Sequence, residues 1–279
     1  MLPTFLIIGT MKGGTTSLYN YLRGHPQVFM SPTKELHYFV AEKNLSRGTA
    51  WYERNFRSAG DAAAVGEASP DYTKYPIYDG VPERIAHTVP GVKLLYVIRN
   101  PLDRIRSHYL HDVARGRERR SIDDAVPGSA HYLAPSRYSL QIERYLEHFP
   151  REQLLVITSE ALRGDRRATM GRVHDFIGVD ADWSAPVQEQ EFNAIAAKTA
   201  PGTLLLAARH LPGASRLRLL APGPVMAAER LLRATRRPVD VRAGTISEDL
   251  RRRLIDELAP DLASLRGHME EGFDAWGLC

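Results

Sequence analysis

The chain has 279 residues, of which 43% are hydrophobic and 25% are charged, a balance that is ordinary for a soluble globular protein with one large or two small domains. Its net charge of +4 leaves room for local basic patches that bind an anion, but it does not require a nucleic-acid partner, and we expect none. The only cysteine is Cys279, which excludes an internal disulfide and a cysteine-based zinc site and makes a catalytic thiol unexpected.

The N-terminal segment MLPTFLIIGT lacks a positively charged leader, a long apolar segment and a small-residue cleavage site. Its apolar run is also too short to span a bilayer. Because a single cysteine is typical of a reducing compartment, we expect a cytoplasmic protein without a transmembrane segment.

The first predicted unit is a strand, a glycine-rich loop and a helix. The apolar run 5–8 precedes the loop GTMKGGTT (9–16), and apolar residues recur behind the loop at helical spacing. Such a loop directs backbone N–H groups, the helix dipole and a lysine ammonium towards one oxyanion. Loops that bind ATP or GTP carry lysine after the last glycine, whereas Lys12 precedes both glycines. From this loop alone, an anion site and an ordinary turn with an incidental lysine are both open.

Further strands and helices alternate along the chain. The patterns predict strands at 28–30, 63–67, 93–98 and 153–157, helices at 51–56, 101–115, 137–149, 168–177 and 247–271, and a basic, polar loop at 115–136. This alternation predicts a single α/β domain over 1–279, with three layers and a central, mainly parallel sheet flanked by helices. The loops after Ile8 and Ile98 then lie at the same carboxyl edge, where such sheets bind ligands.

A second informative segment is YVIRNPLDRIRS (96–107), in which a strand ends at Arg99 and a helix begins at Pro101. Arg99 and Ser107 combine a guanidinium fork with a hydroxyl, which suits a phosphate monoester. The alternative is that Arg99 pairs with a nearby aspartate while Ser107 faces solvent.

Together, KGGTT (12–16) and the segment 99–107 resemble the two phosphate-binding motifs of the sulfotransferases that depend on 3′-phosphoadenosine 5′-phosphosulfate (PAPS). The resemblance is to the heparan-sulfate type and its bacterial relatives, and it includes ELHYF (35–39), EASPDY (67–72) and APD (259–261). It implies a sulfotransferase fold like that of P-loop NTPases. It also implies PAPS as the cofactor, adenosine 3′,5′-bisphosphate (PAP) as its product, and no metal.

The resemblance further implies roles for individual residues. Glu35 is the expected general base, and His37 is expected to position the acceptor or share its proton. Lys12 is expected to bridge the 5′-phosphate and the transferred sulfonate. The expected cofactor-binding residues are Lys12, Gly13, Gly14, Thr15, Thr16, Ser17, Arg99, Ser107 and, in a late loop, Lys198.

The expected acceptor is a hydroxyl, in preference to an amine, of a small molecule, a glycolipid or a saccharide; the sequence specifies neither its identity nor the oligomeric state. Relatives of the heparan-sulfate type carry a lysine where this chain has Ala68. This departure weakens the expectation of a glycosaminoglycan acceptor, and Lys34 and Lys74 are candidates to replace the missing lysine.

Two basic regions have alternative interpretations. The Arg-rich insert 203–240 is a helical cap, a lid over an acidic or amphiphilic acceptor, or a peripheral membrane contact. The run Arg115, Arg117, Arg119 and Arg120 is a solvated face or borders the acceptor cleft.

Two other functions also stay open. A kinase-like or NTP-hydrolysing P-loop protein is disfavoured by the position of Lys12, and by Arg99 where an acidic magnesium ligand would be expected. A non-catalytic nucleotide-binding protein on the same fold would keep both residues but would not need Glu35. No cluster of histidine and acidic residues has a spacing that indicates a metal site.

Overall fold

The computed structural model describes residues 1–184, 199–200, 237–238 and 240–279. Lys198 and residues 201–236, which include nearly all of the basic insert, lie outside the described residues. Among the residues that are described, no helix is both long enough and apolar enough to cross a membrane.

Five parallel strands form the central sheet. They are β1 (Phe5–Gly9), β2 (Val28–Met30), β3 (Ala64–Ala68), β4 (Lys93–Ile98) and β5 (Leu154–Thr158). Their spatial order is β2-β3-β1-β4-β5, so β1 is central and pairs with both β3 and β4. The predicted strands are confirmed, with boundaries that differ by one residue at most.

Helices connect the strands and cover both faces of the sheet. They are α1 (Thr15–Arg23), α2 (Thr49–Arg54), α3 (Val81–Thr88), α4 (Pro101–Arg115), α5 (Ile122–Ala125), α6 (Ala130–Leu133), α7 (Tyr138–Leu146), α8 (Ser159–Gly164), α9 (Arg166–Ile177) and α10 (Glu248–Arg266). Two short strands, β6 (Thr199–Ala200) and β7 (Arg237–Pro238), form a separate antiparallel pair.

Alternate side chains of the central strand enter two different hydrophobic cores. Phe5 and Ile7 pack on one face of the sheet, in a core to which α1 and α9 contribute. Leu6 and Ile8 pack on the other face, in a core that includes side chains from α4, α7 and α10. Because successive strand residues point to opposite faces, this division confirms the predicted three-layer α/β architecture.

The prediction of a plain loop at 115–136 was wrong. Helices α5 and α6 lie there, because the Ser121 side chain accepts a hydrogen bond from the Asp124 N–H and so caps α5, while Ile122 and Leu133 are buried. Helices α3 and α8 were not predicted. Helix α10 begins after the predicted serine cap, Ser247, but ends at Arg266 instead of near 271.

Candidate active site

The loop after β1 packs against β4 and leads directly into α1. The Thr10 N–H donates to the Val97 carbonyl (2.7 Å), and a Cβ atom on Gly13 would lie 2.6 Å from that same carbonyl oxygen, so glycine is required. Gly14, with φ 112°, precedes α1. In this described segment no side chain caps α1, and its first turn holds no acidic residue. The N-terminus of α1 therefore presents backbone N–H groups and a positive dipole to an anion.

The turn after β4 places Arg99 just before α4, and Ser107 lies in the second turn of that helix. Asn100 caps this helix, because its side-chain oxygen accepts hydrogen bonds from the Leu102 and Asp103 N–H groups. Arg99 donates to Asp103 (3.3 Å), so the predicted alternative of an arginine–aspartate pair is present, whereas Ser107 is only 3% exposed. Since the Asp103 carboxylate is 55% exposed, this pair contributes at most about 1 kcal/mol and can yield to a phosphate.

A cleft of about 610 Å³ opens at the carboxyl edge of the sheet between these two turns. Of the predicted site residues, Lys12, Gly14, Thr15, Thr16, Ser17, Glu35, His37, Arg99 and Ser107 line it. Gly13 packs against β4 instead, and Lys198 lies outside the described residues. The two motifs meet because β1 and β4 are adjacent parallel strands, as the sequence predicts.

The three predicted catalytic residues share an unusual backbone conformation. Lys12, Glu35 and His37 have φ angles of 68°, 65° and 49°. Among the described residues other than glycine, only Ala275 and Trp276 also lie in this left-handed region. Such a conformation costs on the order of 1–3 kcal/mol and persists only where the surroundings hold it, and it is concentrated at functional sites.

The Glu35 carboxylate is open to the cleft and has two polar neighbours. The Lys34 ammonium donates to Glu35 Oε1 (3.0 Å), and His37 Nε2 lies 3.7 Å from Oε2. The Glu35 side chain is 44% exposed, so an acceptor molecule in the cleft can reach it. This arrangement can accept a proton from a bound hydroxyl.

A buried carboxylate at the end of β3, which the sequence did not identify as functional, supports the strained segment. Glu67 is fully buried and accepts hydrogen bonds from Tyr72 (2.6 Å), Ser69 (2.7 Å) and Tyr52 (3.1 Å). Burial raises its pKa, and these hydrogen bonds partly offset the increase. The Ser69 hydroxyl in turn accepts from the His37 N–H (3.0 Å). Glu67 thus fixes the backbone that carries the candidate base.

Additional cations line the cleft. Lys34 contacts Glu35, and Lys43 and Lys74 both pair with Asp71, at 2.6 Å for Lys74 Nζ. Lys34 and Lys74, the two candidates to replace a lysine at position 68, both border the cleft.

Helix α8 contributes two further residues that the sequence did not indicate. Ser159 and Arg163 line the cleft, and Arg163 donates to the Ser159 hydroxyl (3.1 Å). Of the basic run after α4, Arg115 and Arg117 line the cleft, whereas Arg120 pairs with Glu118 (2.7 Å) and is mostly exposed. The run therefore borders the cleft at one end and faces solvent at the other.

One group of side chains has the composition of a metal site. His108, Asp112 and His131 offer ligand atoms within 4.8 Å of one another, which the sequence did not reveal because His131 comes from α6. However, the Arg104 guanidinium lies 3.4 Å from His108 Nδ1 and can only donate to it, so the proton of this neutral imidazole belongs on Nε2. A metal at Nε2 would have to displace that proton while the buried Arg104 guanidinium still donates to Nδ1. These three side chains therefore fit a metal ion poorly.

Known proteins resemble this chain over most of its length. A sequence model of the family described as sulfotransferase domain matches residues 2–200. The human heparan sulfate glucosamine 3-O-sulfotransferase 3B1 is 29% identical over an alignment of 187 residues, and the match covers 64% of this chain and 46% of that protein. The human bifunctional heparan sulfate N-deacetylase/N-sulfotransferase 2 is 31% identical over an alignment of 199 residues. This match covers 64% of this chain and 22% of that protein.

A solved structure extends the similarity to the whole fold. The crystal structure of a sulfotransferase from Alicyclobacillus acidocaldarius has a TM-score of 0.72 and 26% sequence identity, and the match covers 99% of each chain. By contrast, the chain spans less than half the length of the two human relatives. Because the family model covers most of the sequence and the parallel sheet carries both phosphate motifs at one edge, the chain belongs to the sulfotransferase domain family.

Proposed function

We propose that this chain transfers the sulfuryl group of PAPS to a hydroxyl, in preference to an amine, of a small molecule, a glycolipid or a saccharide. The observation that carries the proposal is the convergence of two phosphate motifs and an accessible carboxylate on one cleft. Lys12, the first residues of α1, Arg99, Ser107 and Glu35 all line this cleft.

The residues present fit a nucleotide with two separate phosphate groups. The start of α1 has no side-chain cap in this described segment, and Gly14, which lines the cleft, leaves the backbone there open to close approach of a phosphate. Arg99 Nε is buried without a hydrogen-bond partner, which a phosphate oxygen would supply. Bound PAPS supplies a sulfuryl group that is already activated by its phosphate leaving group.

Each proposed catalytic residue has a distinct task. Glu35 takes the proton of the acceptor as its oxygen approaches sulfur. Lys12 and the α1 N–H groups stabilise the negative charge that develops on the departing 5′-phosphate. Arg99 and Ser107 hold the 3′-phosphate and so align the nucleotide for in-line transfer.

The acceptor class is inferred from the resemblance and from the named relatives, which act on heparan sulfate. Lys34 contacts Glu35, Lys43 and Lys74 line the same cleft, and all three are compatible with an acceptor that carries acidic or hydroxyl groups. A hydroxyl is preferred because a carboxylate base is suited to removing its proton during transfer. Amine transfer is the alternative.

Calorimetric titration with PAP, ADP, and ATP plus Mg²⁺ tests the proposal without knowledge of the acceptor. We expect tight binding of PAP that does not depend on Mg²⁺, because the 3′-phosphate is recognised by Arg99 and Ser107. Preferential binding of ATP with Mg²⁺ would overturn the proposal and favour an NTP-hydrolysing protein. PAP binding without any turnover of PAPS would favour a non-catalytic nucleotide-binding protein.

A further inference from the structure

Asp71, which follows β3, connects several charged groups of the cleft. Its side chain is only 8% exposed, yet it lines the cleft together with its partners. Lys74 Nζ lies 2.6 Å from Oδ1, and the Lys43 ammonium contacts Oδ2. His37 Nδ1 lies 3.2 Å from the same Oδ2, without the alignment of a regular hydrogen bond. One buried carboxylate thus holds two ammonium groups beside an imidazole.

The position of this carboxylate determines which nitrogen of His37 carries the proton. An ionised carboxylate only accepts hydrogen bonds, and the two lysines keep Asp71 ionised, lowering its pKa to about 2. A proton on His37 Nδ1 is therefore attracted by the negative charge of Asp71, whereas a lone pair on Nδ1 would be repelled by it. The Glu35 carboxylate has a weaker influence on Nε2, because its Oε2 atom is farther away, at 3.7 Å, and its side chain is 44% exposed to solvent, so the lone pair is left on Nε2.

The surroundings also keep His37 uncharged. Burial lowers the pKa of His37 below its ordinary value. Asp71 and Glu35 raise this pKa, and the ammonium groups of Lys43 and Lys74 lower it. With the lysines opposing the two carboxylates, the imidazole stays neutral near pH 7 and its Nε2 atom can accept a proton.

We propose that Asp71 is a positioning residue of the transfer reaction, which fixes the proton of His37 on Nδ1 and turns the Nε2 lone pair towards Glu35. This inference rests on the proposed function. As the acceptor oxygen forms its bond to sulfur, the bond from sulfur to the bridging phosphate oxygen breaks, and the electron pair leaves with PAP. The acceptor proton passes to Glu35 and from there to His37 Nε2, so the carboxylate base is restored.

The tautomer can be measured directly in the free, full-length protein. Long-range proton–nitrogen NMR correlation at pH 8 distinguishes Nδ1–H from Nε2–H, and His37→Gln identifies the His37 signals among the ten histidines. We expect Nδ1–H in the wild type and loss of this preference in Asp71→Asn. Glu118→Gln is the matched control, because Glu118, like Asp71, pairs with a cationic side chain, Arg120, but does not line the cleft. Nε2–H in the wild type, or an unchanged tautomer in Asp71→Asn, overturns the inference.

A double-mutant cycle tests whether Asp71 acts through His37. The assay is release of PAP from PAPS with water as the acceptor. We expect Asp71→Asn to lower kcat about 100-fold, the lower end of what positioned acid–base groups contribute, with PAP affinity unchanged. In a His37→Gln background the same substitution should cost less than about twofold. The inference would be overturned if Asp71→Asn lowered kcat by the same factor in both backgrounds, so that the two losses multiply. It would also be overturned if Asp71→Asn weakened the binding of PAP. Failure of the wild type to bind PAP would instead contradict the proposed function. The tautomer measurement is independent of that outcome, because it is made on the protein without a nucleotide.

Discussion

Removal of the Asp71 carboxylate should change how stability depends on pH. The folded protein holds this pKa at about 2, against an ordinary value of 3.8, because Lys74 and Lys43 outweigh the effect of burial. Between about pH 2 and pH 4 the unfolded chain therefore binds more protons at this group, and the free energy of unfolding rises with pH. At about 1.36 kcal/mol per pKa unit, the ionised group contributes about 2 kcal/mol above pH 4. The contribution is lost as the pH falls through the folded value.

Urea unfolding of the wild type and of Asp71→Asn at pH 5.5 and pH 3 measures this contribution. Other carboxyl groups titrate in both proteins, so the difference between the two isolates Asp71. The free energy of unfolding of the wild type relative to that of Asp71→Asn should be about 1 kcal/mol lower at pH 3 than at pH 5.5. This is because roughly half of the contribution of the ionised Asp71 has been lost at pH 3. A difference that stays constant between the two pH values would refute the assignment of a lowered pKa to Asp71.

Three further predictions concern single side chains. Arg99→Ala should weaken PAP binding at least tenfold, about 1.4 kcal/mol, while the affinity for ADP stays unchanged; equal losses for both nucleotides would contradict contact with the 3′-phosphate. Glu35→Gln should lower turnover by about 100-fold or more with PAP affinity retained, and turnover within tenfold of the wild type would exclude Glu35 as the base. Glu67→Gln should lower the free energy of unfolding by about 1–3 kcal/mol in urea titrations. Three buried hydroxyls donate to the two carboxylate oxygens of Glu67, and the amide of glutamine keeps only one of these acceptors. An unchanged midpoint would show that the amide satisfies them equally well.

Much of the fold could be predicted from the sequence because the strands are short apolar runs between clear turn signals. The prediction of a strand at 93–98 is confirmed at both ends, because every residue from Leu94 to Ile98 is buried and the helix signals Asn100 and Pro101 follow after Arg99. Helices α5 and α6 were missed because each has only four residues, too few to show a helical period.

The placement of both predicted phosphate motifs at one edge of the sheet also followed from the sequence, whereas the buried carboxylates beside them did not. Lys12 and Arg99 follow adjacent strands, so topology alone brings them to one edge. Glu67 and Asp71 could not be recognised in this way, because their roles depend on side chains far away in the sequence, such as Tyr52 and Lys43. The pattern of segment 67–72 predicts only the end of a strand, and its link to the site comes from the resemblance to known sulfotransferases.

Two histidines of this cleft show why residue type alone does not define chemistry. His37 and His108 both line the cleft, and burial lowers the pKa of each. At His37 the neighbour of Nδ1 is the Asp71 carboxylate, which places the proton on Nδ1 and leaves a basic Nε2 facing Glu35. At His108 the neighbour of Nδ1 is the Arg104 guanidinium, which places the proton on Nε2 and makes that atom a donor. The first arrangement can take up a proton from Glu35, whereas the second can neither take up a proton at Nε2 nor bind a metal there without losing its contact with Arg104.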